Sequence, residues 1–188
     1  MSGANRAPEE RRPVSMKKRT ILMIFFAALV LAAGLYPLHI LQIEEPRKGK
    51  VVFVRPVEPG VRFSLMYRHS VELCRVWDHF RVDGEYRIIL FETVFGSSNT
   101  GLPAVLGSGE RFTRGEKTSR ISNMRRILPA IEMWVNQSYE NTLELGNQKI
   151  SLPALAGNTL LRLRIRGITR FELTFHQMAF FFNDTMRR

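Results

Sequence analysis

Residues 67–103 read YRHSVELCRVWDHFRVDGEYRIILFETVFGSSNTGLP, and this stretch decides the fold. Across 61–71, Val61, Phe63, Leu65, Tyr67, His69 and Val71 alternate with Arg62, Ser64, Met66, Arg68 and Ser70. A period of two marks a strand with one buried face. A second alternation sets Cys74, Val76, Asp78, Phe80 and Val82 against Arg75, Trp77, His79 and Arg81. His69 and Asp78 therefore fall on apolar faces. Asp83 and Gly84 form a tight hairpin signal, and 86–95 returns as a strand. A two-residue loop sets Arg75 opposite Glu92. A three-residue loop moves Glu92 to the face of Asp78, opposite Val76.

Working outward toward the C-terminus, 96–109 is a Gly- and Ser-rich loop and 110–120 is charged and irregular. Ser122 or Asn123 caps a short helix over 124–128 that Pro129 ends. Strand 131–135 follows, then a hairpin of 141–145 and 149–152 around Gly146 and Asn147. Leu161, Leu163 and Ile165 alternate with Arg162, Arg164 and Arg166, and Phe171, Leu173 and Phe175 alternate with Arg170, Glu172 and Thr174. With 50–54, about eight short strands are expected. The predicted fold is all-β, a small β-sandwich or partly open barrel, preceded by one N-terminal transmembrane helix.

Toward the N-terminus, residues 20–43 carry no formal charge. As a helix this run spans about 36 Å, enough for a hydrocarbon core of about 30 Å. Tyr36 and His39 lie near its far end, where amphipathic rings favour the interface. Six bases in 1–19 put the N-terminus in the cytoplasm by the positive-inside rule. The competing reading is a signal peptide cleaved near Ala32, Ala33 and Gly34; both readings export the domain. The expected organisation is a basic cytoplasmic tail (1–19), a signal anchor (20–43), a linker (44–49), an extracytoplasmic β domain (50–176) and a tail (177–188).

The net charge of +11 is scattered, and the single cysteine, Cys74, excludes an intrachain disulfide. Nucleic acid is not expected as a partner, because the domain is exported and no aromatic platform interleaves with the arginines.

Tyr67, His69, Ser70, Val71, Trp77, Asp78, Phe80, Val82, Glu92, Phe95 and the run Gly101, Leu102, Pro103 together resemble a bacterial family, the domain of unknown function DUF1850. The resemblance spans roughly 50–175. It implies a small exported or membrane-anchored protein encoded beside TAXI-type TRAP transporters for small organic acids, and it implies no reaction. Asp78 stands where the family commonly has glutamate, and Asn99 and Thr100 replace a small pair.

The candidate binding residues are Tyr67, His69, Asp78, Glu92, Gly101, Leu102 and Pro103. A buried carboxylate is costly unless paired, so His69, Asp78 and Glu92 form either a structural network or a small-ligand or metal site. Their spacings match no standard metal motif, so no metal and no cofactor is assigned. His69 and Ser70 point to opposite faces and form no catalytic dyad; no enzyme signature is found. Arg162, Arg164, Arg166 and Arg170 form a basic stripe, either a solvated edge-strand face or a docking face for an acidic partner or lipid headgroups. The expected function is a membrane-anchored accessory protein at the bacterial inner membrane, touching TRAP membrane subunits or the solute-binding protein. The alternative is a ligand- or metal-binding module built on His69, Asp78 and Glu92.

Overall fold

The computed structural model describes residues 16–69, 73–96 and 106–185. Ser70, Val71, Gly101, Leu102 and Pro103 lie outside the described residues, as do the tail residues 1–15 and 186–188.

A 20-residue helix, α1 (Met16–Leu35), comes first, and its apolar side chains are exposed along its length. It is long and apolar enough to cross a membrane. It ends sooner than the uncharged run suggests. After Tyr36 the chain enters strand β1 (Pro37–Glu45), in which Ile40, Leu41 and Ile43 are fully buried. Pro37 lacks the N–H that would extend the helix, and the residue before a proline is pushed out of helical geometry. The expected anchor over 20–43 is thus corrected to a helix followed by a core strand. The expected linker over 44–49 is the close of β1 and its turn into β2 (Lys50–Pro56). His39, expected at the lipid interface, stacks on Tyr86 with ring centroids 3.4 Å apart.

The predicted strands form β3 (Arg62–Arg68), β4 (Arg75–Val82) and β5 (Ile88–Gly96). Phe63, Leu65, Val76, Phe80 and Val82 are buried, as the alternation requires. The β4–β5 connection is longer than either expected loop, because Val82 pairs with Ile88. Asp83 organises it by accepting bonds from the Glu85 and Arg87 amides at 3.0 and 2.8 Å.

Next come β6 (Arg111–Arg114) and β7 (Thr118–Ser122), a hairpin where irregular chain was expected. The expected helix over 124–128 is instead β8 (Arg126–Leu128), paired with β5. Asn123 takes a left-handed φ of 60° rather than capping a helix, and Met124 is buried as a strand-side neighbour of β5. The strand β9 (Ile131–Val135) and the hairpin β10 (Thr142–Leu145) and β11 (Gln148–Ser151) form as predicted. A short helix α2 (Leu152–Ala156) leads into the long strand β12 (Thr159–Thr169).

The last element is α3 (Arg170–Thr185), a 16-residue helix over residues expected to hold a strand and a tail that either packs on the domain, touches lipid or is disordered. Thr169 and Glu172 explain it. Glu172 Oε2 accepts from the Thr169 amide at 2.8 Å, while the Glu172 amide donates to Thr169 Oγ1 at 3.2 Å. This reciprocal capping box satisfies amide donors at the helix start. Its Thr-x-x-Glu pattern is present in the sequence and competes with the three-point alternation of Phe171, Leu173 and Phe175.

Twelve strands are found among the described residues, in two sheets with no closed barrel. The smaller sheet has the order β2-β1-β12-β9. The larger runs β11-β10-β3-β4-β5-β7-β6, with β8 beside β5. Leu41, Ile43, Leu161 and Leu163 of the smaller sheet share one core with Phe63, Leu65, Phe80 and Leu143 of the larger. The fold is therefore all-β behind an N-terminal apolar helix, as predicted, with more strands than the eight or so expected because β1 and three strands over 106–128 were not foreseen.

Candidate functional site

Asp78 lies mid-strand in β4, with Leu65 opposite on β3 and Thr93 opposite on β5. Antiparallel partners share a face, so these three side chains form one row on the core side. Asp78 Oδ1 accepts from Thr93 Oγ1 at 2.7 Å, and Asp78 Oδ2 accepts from the Tyr67 hydroxyl at 3.2 Å. Burial raises the Asp78 pKa against the pull of these two bonds. Burial also raises that of Tyr67, with the Asp78 carboxylate adding to it. Tyr67 therefore stays protonated and donates throughout the physiological range.

Tyr67, His69 and Asp78 line one cavity of ≈ 410 Å³, walled by Trp134 and Tyr139. The structure so brings together three of the predicted residues. His69 is exposed at its mouth. Its lining mixes the charged Asp78, Glu132 and Arg68 with the aromatic Tyr67, Trp134 and Tyr139, which suits a small polar group. Trp134 reads from sequence as a core or edge packing residue rather than a ligand-stacking one, and Thr93 and Tyr139 are not singled out. Thr93 becomes recognisable only once the register sets it opposite Asp78.

Glu92 does not join this group. A register shift between His79 and Phe80 pairs Glu92 with His79, on the face opposite Asp78. Neither expected hairpin register occurs, and the three-residue set of His69, Asp78 and Glu92 is not formed. Among the described residues no group of three or more His, Cys, Asp or Glu is placed to hold a metal ion. Glu92 instead ends a row with Ser64 and His79. Ser64 Oγ lies 2.7 Å from His79 Nδ1, His79 Nε2 lies 3.9 Å from Glu92 Oε1, and Arg120 reaches Glu92 at 3.4 Å. Ser64 sits inside a strand paired on both edges, by β4 and β10.

The basic stripe is also partly consumed. Arg162 binds Glu132 Oε1 at 2.7 Å, and Arg164 binds Glu44 Oε2 at 2.8 Å. Glu44 is buried on the same outer face and takes a further bond from Gln42 at 2.7 Å. Arg170 is not on the strand face but opens α3, with its guanidinium 5.4 Å from the Tyr36 ring. Of the four, Arg162 and Arg164 thus hold the smaller sheet together.

The residues forming this row and cavity fall in a stretch that is similar to a known family. Residues 63–152 match DUF1850, a domain of unknown function. The match bears out the resemblance over a shorter range than 50–175. No curated protein and no solved structure matches the chain. The DUF1850 region takes in essentially all of the larger sheet, together with β9 and the cavity. The strands β1, β2 and β12 and both long helices lie outside it.

Proposed function

We propose that this chain is a non-enzymatic accessory protein, anchored by α1 in a bacterial inner membrane with its N-terminus in the cytoplasm and its β domain outside. Its partner in this reading is a TAXI-type TRAP solute transporter, through the membrane subunits or the solute-binding protein, and it acts by protein–protein contact. The observation that carries the reading is the one-residue junction at Tyr36 between the exposed apolar helix α1 and the core strand β1. So short a tether holds the domain against the bilayer and fixes the face it turns to neighbours in the same membrane. Lys17, Lys18 and Arg19 ahead of the apolar run support the orientation. The transporter partner rests on the family resemblance.

The test is affinity purification of the full chain, co-expressed with the transporter, from detergent-solubilised membranes. Transporter subunits should co-purify, and a flexible Gly/Ser segment inserted between Tyr36 and Pro37 should abolish their recovery. Recovery of no subunit with the native chain overturns the reading. Recovery that survives the insertion removes the tether from the argument.

The cavity favours a second reading, a small-ligand module. Its ≈ 410 Å³ falls within the size range of small-molecule pockets. Native mass spectrometry of the full chain should then show a bound small molecule that Trp134→Ala releases.

A further inference from the structure

Pro37 pairs with Thr169, so β1 begins beside the point where β12 ends. The two long helices therefore leave the same end of the smaller sheet. Three contacts fix the start of α3 to the end of α1. The Arg170 amide donates to the Tyr36 carbonyl at 3.2 Å, the Arg170 guanidinium lies over the Tyr36 ring, and the Phe171 ring seats on Gly34, where any Cβ would overlap it.

From that origin α3 has two apolar faces. Leu173, His176 and Phe180 are half-buried, and the helix packs against β2. At 100° per residue, Phe171, Phe175 and Met178 cluster on the opposite side. They are 46%, 68% and 50% exposed, and Phe182, 61% exposed, continues the stripe. Large rings on the outward side of a domain-packed helix are unfavourable in water, and such a stripe marks a contact surface. It runs on from the exposed apolar surface of α1 through Phe171. Sixteen residues make a helix of about 24 Å, too short to cross a hydrocarbon core of about 30 Å. A helix of this kind beside a membrane exit fits the interface plane rather than a second span. Arg166 and Arg170 at its origin add positive charge where headgroups would lie.

We infer that α3 is an interfacial helix that lies on the outer leaflet beside α1, with Phe171, Phe175 and Met178 entering the headgroup–acyl boundary, so that the domain meets lipid at two places. This rests on the reading that α1 spans the membrane.

The test uses the full chain in phosphatidylethanolamine–phosphatidylglycerol vesicles, in a Cys74→Ser background. Nitroxide labels are placed singly through Phe175→Cys, Met178→Cys, Gln177→Cys and Leu29→Cys, and their collisions with oxygen and with a water-soluble nickel chelate are compared. Labels at 175 and 178 should favour oxygen, label 177 should favour the chelate, and label 29 should be the deepest. If label 29 is deep while 175 and 178 favour the chelate as 177 does, the inference fails and the anchor stands. If label 29 itself meets the chelate freely, the anchor reading fails and takes the inference with it. Spin–spin broadening between copies at 175 would mean that a second chain covers the stripe, and would also overturn it.

Discussion

Thr93 Oγ1 lies 2.7 Å from Asp78 Oδ1 at a matched position of neighbouring strands, so a part-buried carboxylate is met by a neutral hydroxyl rather than by a cation. Hydroxyl donors offset only part of the desolvation, and the Asp78 pKa is raised. The folded chain therefore holds this proton more tightly than the unfolded chain. The corresponding stability is fully present below the ordinary carboxylate pKa and is lost as pH rises through the raised folded value. Asp78→Asn removes that dependence. Relative to the native chain, the variant should gain stability as pH rises across this window and then hold a constant advantage, read by urea unfolding over a pH series. A difference that does not vary with pH would contradict the assignment. Thr93→Val, which leaves the carboxylate short of a donor, should destabilise by about 1–2 kcal/mol near neutral pH.

Leu41 separates a core strand from a continuation of the apolar helix. It is fully buried in β1 and packs in the core shared by both sheets. Leu41→Ala should destabilise the domain by roughly 2–5 kcal/mol, as large-to-small core changes do. Leu29→Ala in α1, where the side chain is exposed, should leave the unfolding midpoint of the β domain unchanged. Equal effects of the two would mean that β1 is not part of the core.

The pair Glu44 and Arg164 is the second test of the smaller sheet. Glu44 is buried and holds Arg164 at 2.8 Å, with Arg162 at 3.6 Å. Glu44→Ala leaves guanidinium charge beside a half-covered sheet face, and should destabilise by on the order of 2 kcal/mol, since one partner of a buried pair is removed. Arg164 is partly exposed, which keeps the figure below that of a fully buried pair. Glu44→Gln should recover part of the loss, and chemical denaturation reads both.

The cap at Thr169 should act locally. Thr169→Ala removes the hydroxyl that accepts from the Glu172 amide and should weaken the start of α3 by about 1 kcal/mol. Amide exchange over 171–174 should speed up while that of β12 stays unchanged. The Thr169 amide holds the Glu172 pKa below the ordinary carboxylate range. This contribution is present above the unfolded pKa and is lost as pH falls through the folded value, so acid should fray α3 before the sheets.

Several features were legible in the sequence because they depend on near neighbours alone. The alternations over 61–69 and 74–82 require only that adjacent side chains point to opposite faces, and they become β3 and β4 with their apolar residues inside. The Gly146 and Asn147 turn, the exposed apolar helix and the placing of Tyr67, His69 and Asp78 on one side follow from the same local rules. The Thr-x-x-Glu cap was equally local, but three alternating residues fit a strand as well as a helix.

Tertiary structure alone decided the rest. An uncharged run suits lipid and protein core alike, so only the pairing of 37–45 with β12 and β2 shows where the helix gives way to a strand. Strand register is set by the whole β4–β5 connection and a shift at His79, and a single step sends Glu92 to the face opposite Asp78. Local periodicity fixes which residues share a side of one strand, while which strands meet, and in which step, depends on contacts between residues far apart in the chain.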